Sequence, residues 1–463
     1  MSRSLVTLAL LLLPHFAADA RGQAAPRFVL SSDTALIDEP IDIRLVGLPA
    51  DRDITVRLAG LGNASGWHAS ARFRSDAAGS VDLTRTAPVD GDYNGAHAMG
   101  LFWSARPDSG AHPLIISAVR SPDVIVPPAQ SWELRADVDG RLLAADTVWR
   151  LAISPSVSIV PVRENGIVGT LYVPPGGGGH PAVIVLNGSQ GGIAPPSGTP
   201  GGLASRGYVV LALGYFAAQD LPERLVDIPL ESFGTAIRWL AAQPSVDSTR
   251  IAVLGQSRGG ELALLLGSIF PTIRTVVAYV PSHVVWPGTI TDNVRAPAWT
   301  LGGKPVPGMF NRASERAVAH YAGCPSAPTC REPLTVHHFL ALLDDRATVA
   351  RAEIPVERIN GPVLLISGRS DGLWPSTLMA DRVIARLHGH NFAHAAEHFA
   401  YADAGHAIGR PYFPTPDVGR ARPHPITHRM VVPGGTPAGT ALASEDSWRR
   451  VLAFLEKSLR DRQ

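Results

Sequence analysis

The stretch Ile251-Ala252-Val253-Leu254-Gly255-Gln256-Ser257-Arg258-Gly259-Gly260-Glu261 constrains this chain more than any other. Ile251 to Leu254 is a continuous apolar run and reads as a buried strand. A helical pattern from Ser257 to about Ser268 begins with no loop between. The junction, Gly255-Gln256-Ser257-Arg258-Gly259, has the Gly-x-Ser-x-Gly spacing. A strand that turns at once into a helix needs backbone approaches too close for side chains, and Gly255 and Gly259 permit them. Ser257 then stands at the carboxyl edge of a sheet and at a helix N-terminus. Free N–H groups and the helix dipole favour developing negative charge there. The same letters fit a glycine-rich turn with an N-cap serine. The strand–turn–helix setting is what favours a nucleophile elbow.

The surrounding rhythm agrees with that reading. Ala182 to Leu186, Tyr208 to Leu213, Val276 to Val280 and Val363 to Ile366 are further apolar strands. Helical patterns run over Leu230 to Gln243, with Phe233, Ile237 and Leu240 on one face, and over about Glu445 to Leu459. Strands alternating with helices predict a mostly parallel sheet with helices on both faces, the α/β-hydrolase architecture, over residues 155–463. The long irregular stretch 281–361 inside it reads as a cap. Residues 26–152 read differently. Segments such as Ile41 to Val46 and Ile54 to Leu58 alternate apolar and polar residues between Gly, Asp, Pro and Asn. That predicts an Ig-like antiparallel β-sandwich of roughly seven strands, without an amphipathic helix. A chain of 463 residues is too long for one ordinary core, so two or more domains are expected.

Residues 1–20 read as a signal peptide: Arg3, then the apolar run Leu5 to Leu13, then the small-x-small site Ala18-Asp19-Ala20. The run is too short to span a membrane, no later segment reads as a span, and the expected location is periplasmic or secreted. The only two cysteines, Cys324 and Cys330, share a Pro-rich stretch of the cap, where export would favour a local disulfide. With 41 basic and 40 acidic residues and no dense Lys/Arg run, nothing points to nucleic acid. No metal or cofactor motif is present.

A serine hydroxyl is a weak nucleophile until a base takes its proton. The hydrolase order is serine, acid, histidine. After the Val363 to Ile366 strand comes Ser367-Gly368-Arg369-Ser370-Asp371-Gly372, and after a helix and the strand-like His398 to Tyr401 comes Asp403-Ala404-Gly405-His406. His406 is assigned as general base and then acid, and Asp371 as the group that orients it, with Asp403 the competing acid. For the oxyanion, one backbone donor is the amide of Arg258. A second is the amide of Ser189 or Gln190, in the loop Asn187-Gly188-Ser189-Gln190-Gly191-Gly192. That loop lacks the Lys-Ser/Thr of a phosphate-binding loop. Glu261, one turn after Ser257, reads as a structural hydrogen-bonding residue, with site tuning as the alternative.

Several stretches together resemble the acyl-CoA thioesterase and bile-acid-CoA:amino-acid N-acyltransferase family. They are Gly91 to Gly95, Met99 to Ser104, Gly169 to Gly176, Ser257 to Ala263, Gly405-His406 with Arg410-Pro411-Tyr412, and Gly434-Gly435-Thr436. The resemblance implies a β-sandwich coupled to an α/β-hydrolase domain. It implies a Ser or Cys nucleophile with His and Asp, carried onto Ser257, His406 and Asp371. Serine members tend toward hydrolysis and cysteine members toward acyl transfer to an amine. The expectation is therefore a serine hydrolase of acyl thioesters or carboxylic esters acting through an acyl-enzyme. An acyltransferase and a non-catalytic ligand-binding protein are the alternatives. The expected partner is a small acyl ester or thioester, with no nucleic acid and no membrane span after leader removal. The sequence leaves oligomeric state open. Within the cap, Arg295, Lys304, Arg312 and Arg316 are scattered among Pro and apolar residues and do not form a CoA phosphate site by spacing.

Overall fold

The computed structural model describes residues 25–288 apart from 112, 115–117 and 125, together with 296–322 and 335–460. The expected leader and the expected Cys324–Cys330 disulfide both lie outside the described residues.

The N-terminal strands build two sheets over one core. A three-stranded sheet holds Arg27–Leu30, Ile43–Val46 and Val81–Asp82, and the longest strands of the larger sheet are Asp53–Leu61, Trp67–Arg74, Gln130–Val138 and Arg141–Leu151. Alternation with a period of two turns Ile43 and Leu45 inward from one sheet. It turns Ile54, Val56, Leu58, Phe73, Trp132 and Leu134 inward from the other. Two expectations need correction. The described residues form ten strand segments rather than about seven, because several edge pieces of two to four residues are too short to carry a pattern. One pairing is parallel, with Thr34–Leu36 beside Trp149 to Leu151. A short helix, Gly100–Ser104, is buried along its whole length and so shows no amphipathic stripe.

The second half is built on one eight-stranded sheet: β1 Ser158–Glu164, β2 Ile167–Val173, β3 His180–Leu186, β4 Val209–Gly214, β5 Val246–Gln256, β6 Ile273–Tyr279, β7 Val363–Gly368 and β8 Ala396–Tyr401. The order across the sheet is β1-β2-β4-β3-β5-β6-β7-β8. The pairings β1–β2 and β2–β4 are antiparallel; the rest are parallel. Helices cover both faces, which is why the buried stretches within β3 to β7, such as Ala182 to Leu186 and Ile251 to Leu254, read as apolar runs. On one face lie α1 Leu230–Ala241, α2 Arg258–Ile269 and α3 Ser376–Gly389, which bury Phe233, Leu266 and Val383 against Ile184, Val253 and Leu365. On the other lies α4 Pro437–Leu459, which buries Trp448, Val451 and Leu455 against Val183, Leu254 and Ile366. This helix starts earlier than the expected Glu445. Pro437 occupies its first turn, and the Thr436 side chain accepts a hydrogen bond from the Gly439 amide.

A polar joint locks the sandwich onto the sheet. Asp38 Oδ2 accepts from Arg206 Nη1 at 2.7 Å and from Trp448 Nε1 at 2.8 Å. His97 Nε2 meets Glu445 Oε2 at 2.8 Å. Asp38→Ala would leave a guanidinium and an indole N–H without their shared acceptor. We expect it to lower unfolding stability by roughly 2–3 kcal/mol in urea titrations. A loss within about 0.5 kcal/mol of zero, the range of ordinary surface changes, would show the joint to be slack.

Candidate active site

The bend at Ser257 is built by close backbone contacts. A Cβ on Gly255 would collide with the Gly259 carbonyl, and one on Gly259 would stand 2.5 Å from the carbonyl oxygens of Leu186 and Asn187. The turn holds Ser257 at φ 60° and ψ −122°, and its amide donates to the Tyr279 carbonyl at 2.9 Å. A serine at positive φ is a strained conformation that the surrounding structure must maintain. Ser257 is 7% exposed, and among the described residues its hydroxyl has no hydrogen-bond partner.

Asp371 and His406 lie on loops beyond β7 and β8 and meet there: His406 Nδ1 is 2.9 Å from Asp371 Oδ2. The other carboxylate oxygen, Oδ1, accepts from the amides of Leu373 and Trp374 at 2.9 and 3.2 Å. Asp371 is buried, whereas Asp403, the competing acid, is exposed and uses its carbonyl to accept from the Thr436 amide. The imidazole also packs edge-on against Trp374, with ring centroids 5.7 Å apart, and the Trp374 indole donates to the Val280 carbonyl. Gln256, inside the elbow, donates to the Ile408 carbonyl at 3.0 Å and so ties the nucleophile's turn to the histidine loop.

The candidate oxyanion donors converge on the same place. Arg258 opens α2, so its amide is one of the unpaired N–H groups at a helix start. Ser189 and Gln190 are the central residues of a turn closed by Gly191 N–H donating to the Gly188 carbonyl at 3.0 Å. A Cβ on Gly188 would stand 3.1 Å from Ser257 Cβ, so this turn lies directly against the nucleophile. The Arg258 side chain points away from it. The guanidinium pairs with Glu261 at 2.8 Å, both groups buried, and donates to the Trp286 carbonyl. Glu261 also accepts from the Trp286 amide and the Trp299 indole. Burial pushes its carboxyl up to about 7, against the pull of Arg258. Glu261 is thus the structural residue of the two readings, joining α2 to the base of the cap region. Of the cap cations, Lys304, Arg312 and Arg316 are exposed, and Arg295 lies outside the described residues.

Two features escaped the sequence reading. One is Trp374, whose place beside His406 follows only from the fold. The other is the role of the segment between Gly409 and Thr436, whose ends carry the family resemblance but were not read as part of the site. Its Pro433 carbonyl accepts from the amides of both His406 (2.9 Å) and Gly372 (3.0 Å). Gly434 then pairs with Asp371 and Gly435 with Ala404. A Cβ on Gly434, at φ +78°, would run into the Ser370 carbonyl, which accounts for a glycine at that site. Earlier in the segment a hairpin, Arg422–Pro423 with Met430–Val431, carries His424 to 2.8 Å from Ser189 Oγ.

Residues 228–461 match the family described as BAAT / acyl-CoA thioester hydrolase C terminal, and residues 38–164 match its N-terminal region. This chain belongs to the BAAT / acyl-CoA thioester hydrolase family. It is 31% identical to the acyl-coenzyme A amino acid N-acyltransferase 1 of Mus musculus over 94% of this chain and 98% of that protein. It is 30% identical to the acyl-coenzyme A thioesterase 1 of Homo sapiens, over 91% of this chain and 94% of that one. The family resemblance carried by the elbow, by Gly405-His406 and by Gly434-Gly435 therefore holds along almost the whole chain.

Two imidazoles, His283 buried and His424 half-buried, set an acid limit on this architecture. Burial pushes His424 down to about 4, helped by the neighbouring His428, Arg422 and His406 charges, and burial with Arg382 pushes His283 down to about 4. Both rings stay neutral in the fold, so the unfolded chain binds more protons between about pH 4 and the ordinary histidine value of 6.5. Their contribution is intact above that window and is lost as pH falls through it. Thermal melts across the window should show Tm dropping on acidification. The double variant His283→Gln/His424→Gln should flatten the drop; an unchanged slope would rule these two groups out.

Proposed function

We propose that this protein hydrolyses acyl thioesters, and carboxylic esters of similar acyl groups, through an acyl-enzyme on Ser257. The observation that carries the reading is the Ser257 elbow at φ 60°, tied through Gln256 to the loop of His406, whose Nδ1 is held 2.9 Å from a buried carboxylate. Ser257 Oγ attacks the acyl carbonyl carbon while its proton passes to His406 Nε2. The carbonyl π pair moves onto oxygen, facing the amides of Arg258 and of Ser189 or Gln190. When the carbonyl re-forms, the carbon–sulfur or carbon–oxygen bond breaks and His406 returns the proton to the leaving group. Water repeats the sequence on the acyl-enzyme, with His406 again as base. Asp371 orients the ring and stabilises its charged form. Ser257→Ala should fold and lower kcat by roughly 10⁴-fold or more, His406→Ala should match it, and Asp371→Asn should also be severe. A fluorophosphonate probe should label the native protein and not Ser257→Ala; a non-catalytic binding protein would remain unlabelled. The relatives include an N-acyltransferase, so product analysis with glycine or taurine present tests acyl transfer as the second reading. An amide as the main product would replace hydrolysis.

The leaving group is the open part of the reading. The expected leader would take the protein out of the cytoplasm, and a mature N-terminus at Arg21 on purified exported protein would support it. Export and the exposed, scattered cap cations favour recognition of the acyl group over that of the nucleotide. We expect kcat/KM for an acyl-CoA to lie within about 100-fold, or roughly 2.7 kcal/mol, of that for the same acyl group on N-acetylcysteamine. A larger preference for CoA would reveal a dedicated nucleotide site.

A further inference from the structure

The hydrogen bonds around His424 fix its proton. Its Nδ1 accepts from the amides of Ile426 at 3.2 Å and Thr427 at 3.1 Å. A nitrogen that accepts from two N–H groups carries no hydrogen, so the neutral ring bears its proton on Nε2. Nε2 lies 2.8 Å from Ser189 Oγ, and it must be the donor in that bond. Two consequences follow. His424 cannot act as a base toward Ser189, so the pair is not a second nucleophile and base. The Ser189 hydroxyl, its lone pair engaged by His424, is left with one proton that has no acceptor among the described residues. That hydroxyl belongs to the turn whose Gly188 backbone abuts Ser257.

We propose that the Ser189 hydroxyl is a side-chain donor to the oxyanion formed at Ser257, and that His424 is the positioning residue that aims its proton there. The proposal rests on the Ser257 acyl-enzyme reading and adds a donor beyond the backbone amides. As the carbonyl carbon is attacked, the new negative charge on oxygen accepts the Ser189 O–H. The hydroxyl keeps its bond from His424, and no proton changes owner. A neutral hydroxyl polarised by an N–H donor behind it is a stronger donor than a free one. The ground-state carbonyl benefits less, so the effect should appear in kcat rather than in KM.

The test uses the full-length protein and two N-acetylcysteamine substrates with the same acyl group. One is the thioester, with a carbonyl oxygen; the other is the dithioester, whose thiocarbonyl sulfur is a poor hydrogen-bond acceptor. Loss of thioester hydrolysis in Ser257→Ala is the control for the underlying reading; activity surviving there would overturn that reading, whatever Ser189 does. Ser189→Ala should lower kcat for the thioester by about 10²-fold or more with KM within about twofold, and lower kcat for the dithioester far less. Ser189→Thr keeps the hydroxyl and should recover a large part of the thioester activity that Ser189→Ala loses, which separates loss of the donor from loss of the turn. His424→Ala should fall part of the way, His424→Gln should recover some activity through its amide N–H, and Ser189→Ala/His424→Ala should be no worse than Ser189→Ala. The idea fails if Ser189→Ala keeps more than about a third of native kcat. It fails equally if both substrates lose the same factor, or if the two single losses multiply in the double variant.

Discussion

One carbonyl oxygen stands at the centre of this molecule. The Pro433 carbonyl takes the amides of His406 and Gly372 together, so the histidine loop and the acid loop share a single acceptor. It adds to direct bonds between the loops, where the Ser370 amide donates to the Ala404 carbonyl at 3.1 Å and the Ser370 hydroxyl to the Ala402 carbonyl at 2.9 Å, and the 2.9 Å bond between imidazole and carboxylate depends on the spacing they set together. A proline supplies this acceptor without adding a donor of its own. The two glycines that follow let the chain pass between the loops where a side chain would not fit.

The energetics of the site are organised the same way. Each group of the proposed site is held by groups outside it. Ser257 keeps a positive φ because glycines on either side let strand, helix and the neighbouring loop touch backbone to backbone. Asp371 spends one oxygen on two amides and keeps the other for His406. Arg258 lends its amide to one side of α2 and buries its guanidinium with Glu261 on the other. Pre-organisation of this kind places the cost of ordering in folding, before any substrate arrives.

How much of this was legible depended on whether the signal was local. The elbow could be read because strand, turn and helix are consecutive, and β3 to β7 because burial on both faces removes polar residues from a strand. His406 and Asp371 were readable through their order and their position after strands. The pair β1 and β2 was missed: β1, at the sheet edge, mixes polar with apolar residues, and the buried run of β2 is interrupted by Gly169 and Thr170. Pieces as short as Val81–Asp82 or Asp90–Gly91 hold no period to detect. Trp374 and His424 were invisible for a different reason. Each acts through a neighbour far away along the chain, Trp374 on the ring of His406 and His424 on Ser189, and nothing in the nearby residues announces either contact.

The strap from Gly409 to Thr436 also touches the sandwich, where Thr415 donates its amide to the Trp103 carbonyl at 2.9 Å. Trp103 sits on the short buried helix of the first half, in a stretch that marks the family. The sandwich therefore braces the strand of chain that joins the Asp371 and His406 loops. This makes the protein poorly modular. A recombinant that joined this second half to a relative's sandwich would inherit Ser257, Asp371 and His406, and would keep the brace only if the new backbone met Thr415 in the same place. A transplanted sandwich would have to reproduce the path of the backbone at residue 103, because the acceptor is the Trp103 carbonyl rather than its indole.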